Sequence, residues 1–182
     1  MVLLPSQPSK PGLICPDFKL SGVDGSLYAL ADFKSSQALL LAIICNHCPY
    51  VRAIEDRLIA LGRSFNNKEL QIVAVCANDS KKYPDDSPGE LFKRWQLKSY
   101  GFPYLIDADQ ELVRALDAQC TPEFYLFDQA RRLYYHGRLD DNWQDESLVK
   151  HEDLARALES LLAGQIAPAP QHPSLGCSIK WI

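Results

Sequence analysis

The sequence lacks any apolar run near the roughly 20 residues that a bilayer span takes. Its central apolar stretch, Ala38 to Cys45, is far too short, so no membrane association is expected. It also lacks long runs of one charge. The 19 basic and 23 acidic side chains, giving a net charge of −4, are interspersed, which leaves no electrostatic footprint for nucleic acid. Met1-Val2-Leu3-Leu4-Pro5 has neither the basic start nor the long apolar segment of a secretory leader, so a cytoplasmic location is expected. No internal repeat and no linker composition interrupts the chain. A single domain over residues 1–182 is expected, with a proline- and serine-rich arm at 1–12 and a proline-rich tail at 164–182. A chain of this size buries roughly 70% of its extended-chain surface.

Six cysteines are present: Cys15, Cys45, Cys48, Cys76, Cys120 and Cys177. Without an export signal, a disulfide framework is not expected, and closely spaced thiols point instead to redox or metal chemistry. Only Cys45 and Cys48 are closely spaced.

Hydrophobic periodicity gives a coarse map. Asp17 to Leu20 and Ser26 to Leu30 read as short strands around a turn at Gly22-Val23-Asp24-Gly25. Gln37 to Ile44 is apolar on both faces, as a central strand covered on each side should be. Beyond Pro49 the period changes: Val51, Ile54, Leu58, Leu61 and Phe65 follow helical spacing. Glu69 to Cys76 is the next strand and completes a βαβ unit. Glu90 to Ser99 reads as a helix, Pro103 to Ile106 as a strand and Gln110 to Ala118 as a short helix. Glu123 to Phe127 and Arg132 to His136 form a predicted hairpin, and Glu152 to Ala163 a closing helix. The pattern predicts an α/β sandwich with a mixed sheet.

The pair Cys45–Cys48 therefore falls where a buried strand ends and a helix begins, with Pro49 suited to the first helical turn. Unpaired N–H groups and the helix dipole stabilise a thiolate there and lower its pKa. Two cysteines three residues apart can attack a disulfide, form a mixed disulfide and resolve it internally. An imidazolium at His47 would strengthen the effect; a solvent-facing His47 is the alternative. A structural zinc site wants four ligands, usually from two such pairs, and the other cysteines are scattered. A Cu(I) site from Cys45, Cys48 and the remote His136 is a further alternative.

The chain resembles the thioredoxin superfamily, specifically its peroxiredoxin-like branch (alkyl hydroperoxide reductase/thiol-specific antioxidant, redoxin). The resemblance rests on Gly25 to Phe33 (G-x-x-x-x-L-x-D-F), on the strand–CxxC–helix of Leu39 to Phe65, and on Thr121-Pro122 before a hairpin. The strings CNHCPYV, GRLDD (Gly137 to Asp141) and GCSIKW (Gly176 to Trp181) are similar to a small subgroup of that branch. The resemblance implies a thioredoxin-like three-layer sandwich and a thiol–disulfide oxidoreductase. Its partners would be a protein or small-molecule disulfide, or a hydroperoxide, together with a thiol reductant, and no cofactor or metal is expected. It also implies a cis peptide at Pro122 facing the cysteines, with the Thr121 backbone free to pair with a bound peptide and Cys120 close by. Cys45, as the more exposed thiol of the thioredoxin pattern, would attack and Cys48 resolve; in the peroxiredoxin register the roles invert.

The chain also departs from those patterns. The peroxiredoxin Pro-x-x-x-Thr/Ser-x-x-Cys is absent in register with Cys48 (Leu41, Cys45) and with Cys45 (Ala38, Ala42), which argues against efficient hydroperoxide reduction. Relative to thioredoxin, Ile44 replaces a tryptophan, Asn46-His47 replaces Gly-Pro, and Leu39 stands where a buried acid would assist the second cysteine. Arg138 is either an electrostatic aid or a surface ion pair. Cys120 is either a third redox thiol or a buried packing residue, and Cys177 either a distal resolving thiol or a packing residue.

Overall fold

The structure, a computed structural model, describes residues 3–8, 12–65 and 69–182. Of the expected arm, residues 1–2 and 9–11 lie outside the described residues. In chain order the strands and helices are β1 (Leu3–Pro5), β2 (Lys19–Gly22), β3 (Leu27–Ala29), β4 (Ala38–Ile43), α1 (Pro49–Ser64) and β5 (Leu70–Cys76). They continue with α2 (Pro88–Lys98), β6 (Tyr104–Ile106), α3 (Glu111–Leu116), β7 (Cys120–Thr121), β8 (Glu123–Phe127), β9 (Leu133–Gly137), α4 (Asp153–Leu162) and β10 (Leu175–Ser178).

The main sheet runs β3-β2-β6-β5-β4-β8-β9. Strands β4, β5 and β6 are parallel to one another, while β8 pairs antiparallel with β4, and β2 antiparallel with β6, so the sheet is mixed. All six residues of β4 are buried, because alternate side chains feed two cores. Leu40 and Ala42 pack with Val51, Ile54 and Leu58 of α1 and Leu154 and Leu158 of α4. Leu39, Leu41 and Ile43 pack on the opposite face with Leu112, Val113 and Leu116 of α3. Helices thus cover both faces, as the continuous apolar run of β4 requires. No helix among the described residues is long and apolar enough to cross a membrane.

A second, three-stranded sheet was not foreseen. It has the order β1-β10-β7 and joins both ends of the chain. Arm and tail are therefore each partly strand rather than wholly irregular. Leu3 stands opposite Cys177, and Cys177 in turn stands opposite Thr121. This small sheet lies over the point where β4 hands the chain to α1.

Candidate active site

Cys45 follows the end of β4, and Cys48 is the N-cap of α1 in extended conformation (φ −78°, ψ 119°), with Pro49 in the first turn. The apolar strand fixes the first sulfur and the helix start the second. Between them, Asn46 and His47 are held by Asp86, from the segment that joins β5 to α2. Asp86 accepts the backbone N–H of Asn46 at 2.7 Å and of His47 at 3.2 Å, and its second oxygen binds the His47 ring and Asn78 Nδ2. Arg52 closes the turn from the helix side, donating to Asn46 O at 2.7 Å. Burial works to raise the Asp86 pKa, but its hydrogen bonds from His47 and Asn78 hold it below the usual carboxylate range. His47 also stacks on Tyr83, ring centres 5.2 Å apart, so it is an anchored residue rather than a solvent-facing one.

Across from the pair, the Thr121–Pro122 peptide is cis. The Thr121 hydroxyl lies 3.4 Å from Cys45 Sγ, and the Cys48 thiol donates to Thr121 O at 3.1 Å. Elsewhere in the chain Ala169–Pro170 is also cis.

The two sulfurs differ in acidity. A hydrogen bond from Cys45 is the main force that pulls the Cys48 pKa down to about 5, against the cost of burial; Cys177, the Val51 backbone and the Thr121 side chain add to it. In the thiol form Cys48 donates to the Thr121 carbonyl, and ionisation forfeits that contact. Several donors at a helix N-terminus outweigh one carbonyl, so the lowered value is the physically consistent direction. Cys45 moves the opposite way, well above the ordinary range, through burial first and then through its role as donor to Cys48 and the nearby Asp86 charge. Neither thiol is open to solvent, so exposure does not single out an attacking sulfur: Cys45 is 1% exposed and Cys48 0%.

Other expected site residues are distributed as follows. The Thr121 backbone is not free for a peptide, since β10 is paired to it. Cys120 is buried, its sulfur 3.7 Å from Glu123 Oε2, and burial with that carboxylate pushes its pKa up. Arg138 pairs with Asp153 at 2.6 Å rather than with a thiol. It does line a cavity of about 70 Å³ shared with Pro122, Phe124, Trp143 and Leu175. His136 binds Glu123 at 2.7 Å and stacks on Tyr125. A Cu(I) set of Cys45, Cys48 and His136 is therefore not assembled.

Among the described residues, the groups that come within 4.8 Å of one another as candidate ligands are Cys45, His47 and Asp86. Both Asp86 oxygens are already committed to hydrogen bonds. Glu123 went unnoticed as well. Buried under the cis peptide, it collects the N–H groups of Gln119 and Cys120, the Tyr125 hydroxyl and His136.

A central strand ending in a cysteine at a helix start, opposite a cis-proline loop, is the arrangement of thioredoxin-like proteins. The chain belongs to the AhpC/TSA family, whose profile matches residues 11–136. That is a thioredoxin-like thiol–disulfide oxidoreductase family, so an oxidoreductase role follows in general terms. The chain is 40% identical to an uncharacterized conserved protein from Geobacillus kaustophilus, covering 100% of this chain and 97% of that one (TM-score 0.95). It is 38% identical to a hypothetical protein from Sinorhizobium meliloti 1021, covering 98% of each (TM-score 0.93). The exposed lipoprotein thioredoxin Etrx1 of Streptococcus pneumoniae is 18% identical over 80% of this chain and 99% of that one (TM-score 0.61), a likeness of fold. No curated protein matches the chain.

Proposed function

We propose that this protein is a thiol–disulfide oxidoreductase acting through Cys45 and Cys48, with Cys48 as the attacking sulfur. The observation that carries the reading is the opposite displacement of the two thiols. Cys48 at the α1 N-terminus is acidic because Cys45 donates to it, and Cys45 keeps its proton. The Cys48 thiolate attacks a substrate disulfide, forms a mixed disulfide and releases one substrate thiolate. Covalent capture of Cys48 removes its charge and its hold on the Cys45 proton. Burial and the Asp86 charge are then what oppose Cys45 ionisation. Cys45 attacks the Cys48 sulfur and expels the second substrate thiolate, which takes up the Cys45 proton, leaving a Cys45–Cys48 disulfide. An external thiol reductant, in a reducing cytoplasm, returns the pair to thiols.

Hydroperoxide reduction is a second reading, favoured by one observation: the acidic sulfur is Cys48, the one in the peroxiredoxin register. A small oxidant also suits two sulfurs that are 1% and 0% exposed. Mass spectrometry after brief exposure to glutathione disulfide or hydrogen peroxide, with and without Cys45→Ser, tests both. Disulfide exchange predicts a glutathione-reactive Cys48 in the variant. Peroxide turnover predicts a trapped Cys48 sulfenic acid. An unmodified Cys48 under both oxidants would end both readings.

A further inference from the structure

Strand β10 occupies the sheet edge that an incoming peptide would use. It pairs antiparallel with β7, in the register Cys177 opposite Thr121 and Ser178 opposite Cys120, and the pairing extends through Ile179 N–H to Gln119 O at 3.2 Å. Strand addition to an exposed edge is a general mode of peptide recognition, with the backbone giving affinity and side chains giving specificity. Here the added strand belongs to the chain itself. Its approach is so close that a Cβ at Gly176 would stand 2.0 Å from Thr121 O, which is why the position before the cysteine carries no side chain. The same Thr121 carbonyl accepts the Cys48 thiol. Cys177 is 1% exposed, shares a core with Cys45 and Cys48, and is among the donors that lower the Cys48 pKa.

We propose that β10 is a built-in stand-in for a substrate strand, and that its Cys177 exchanges with the oxidised pair to give a Cys48–Cys177 disulfide. This rests on the reading of Cys45 and Cys48 as a redox pair. The step needs no further oxidant. Cys177 loses its proton and attacks the Cys48 sulfur, a Cys48–Cys177 bond forms as the Cys45–Cys48 bond breaks, and Cys45 leaves as a thiolate that takes up the proton. One disulfide is exchanged for another, with no net electron transfer. The product fastens β10 over β7 and regenerates the Cys45 thiol. The strand then blocks an outside peptide until a thiol reductant cleaves the new bond. Cys177 is thus a reacting residue rather than a packing one.

The test uses the full-length reduced protein, oxidised with glutathione disulfide, acid-quenched, alkylated, digested without reductant and mapped by mass spectrometry. The wild type should give peptides linked Cys45–Cys48 and Cys48–Cys177, and Cys177→Ser only the first. In Cys45→Ser, Cys177 should displace glutathione from Cys48, making the Cys48–Cys177 link about tenfold more abundant than the glutathione adduct, as expected of an intramolecular thiol. A persistent Cys48–glutathione adduct with Cys177 alkylated, or a link to Cys120 instead, would overturn the proposal while leaving the redox pair intact. Alkylation of Cys48 in every protein would remove both. Circular dichroism establishes that each variant is folded, and the Cys45→Ser result stands alone if Cys177→Ser is not.

Discussion

The hydrogen bond from Cys45 to Cys48 can be removed with little change of volume by Cys45→Ala. A hydrogen bond to a charged group contributes about 1.5–3 kcal/mol, and one pKa unit corresponds to about 1.4 kcal/mol. Loss of the donor should therefore raise the Cys48 pKa from about 5 by about one to two units. Near pH 6, the thiolate population should fall from about 90% to half or less. Cys45→Ser retains a hydroxyl donor and should titrate close to wild type. The assay is the ultraviolet absorbance of the thiolate against pH, with Cys48→Ser as baseline. If Cys45→Ala titrates as the wild type does, the donor network is not what acidifies Cys48, and the assignment of Cys48 as attacking sulfur loses its basis.

Other expectations follow from the same geometry. Because the Cys48 pKa is lowered from 9.0 to about 5, the folded protein binds fewer protons than the unfolded one between those values. Stability of the reduced protein should rise with pH through that window by up to about 1.4 kcal/mol per pH unit and be lost as pH falls through about 5. Denaturant midpoints should show this for the wild type and not for Cys48→Ser; equal slopes would refute it. Gly176→Ala forces a Cβ against the Thr121 carbonyl, costing about 1–3 kcal/mol, and should speed alkylation of Cys48 as β10 lifts away; an unchanged alkylation rate would show that β10 does not cover the sulfur. Glu123→Gln leaves His136 and two backbone N–H groups facing an amide. It should cost about 3–5 kcal/mol in urea unfolding, and a loss below about 1 kcal/mol would contradict the network's role in holding the cis-proline loop.

Much of the main sheet could be read from the sequence, because its signals are local. The apolar run of β4 and the change of period at Pro49 located the strand–helix junction within a residue, and the β8–β9 hairpin followed from two short strand-like runs on either side of a turn at Asp128 to Arg131. The sheet β1-β10-β7 could not be read this way. Its strands have three, four and two residues, contain Pro5 and Gly176, and pair across nearly the whole chain, so no local periodicity marks them. Asp86 was hidden for another reason: Asp85 and Asp86 look alike in a polar loop, and only the fold turns one of them toward the Asn46–His47 turn. Which thiol is acidic depends first on the donor Cys45 and then on Cys177, Val51 and Thr121, and Cys177 and Thr121 reach Cys48 only through the tertiary structure.

The contact between Cys177 and Cys48 ties two equilibria together. Cys177 favours the ionised form of the sulfur it touches, so lifting the C-terminal strand should make that sulfur less acidic. By reciprocity, a proton arriving on Cys48 should loosen the strand by the same factor. Acidity at the helix start and closure of the chain's last strand are therefore one coupled property, and a change in either can be read from the other.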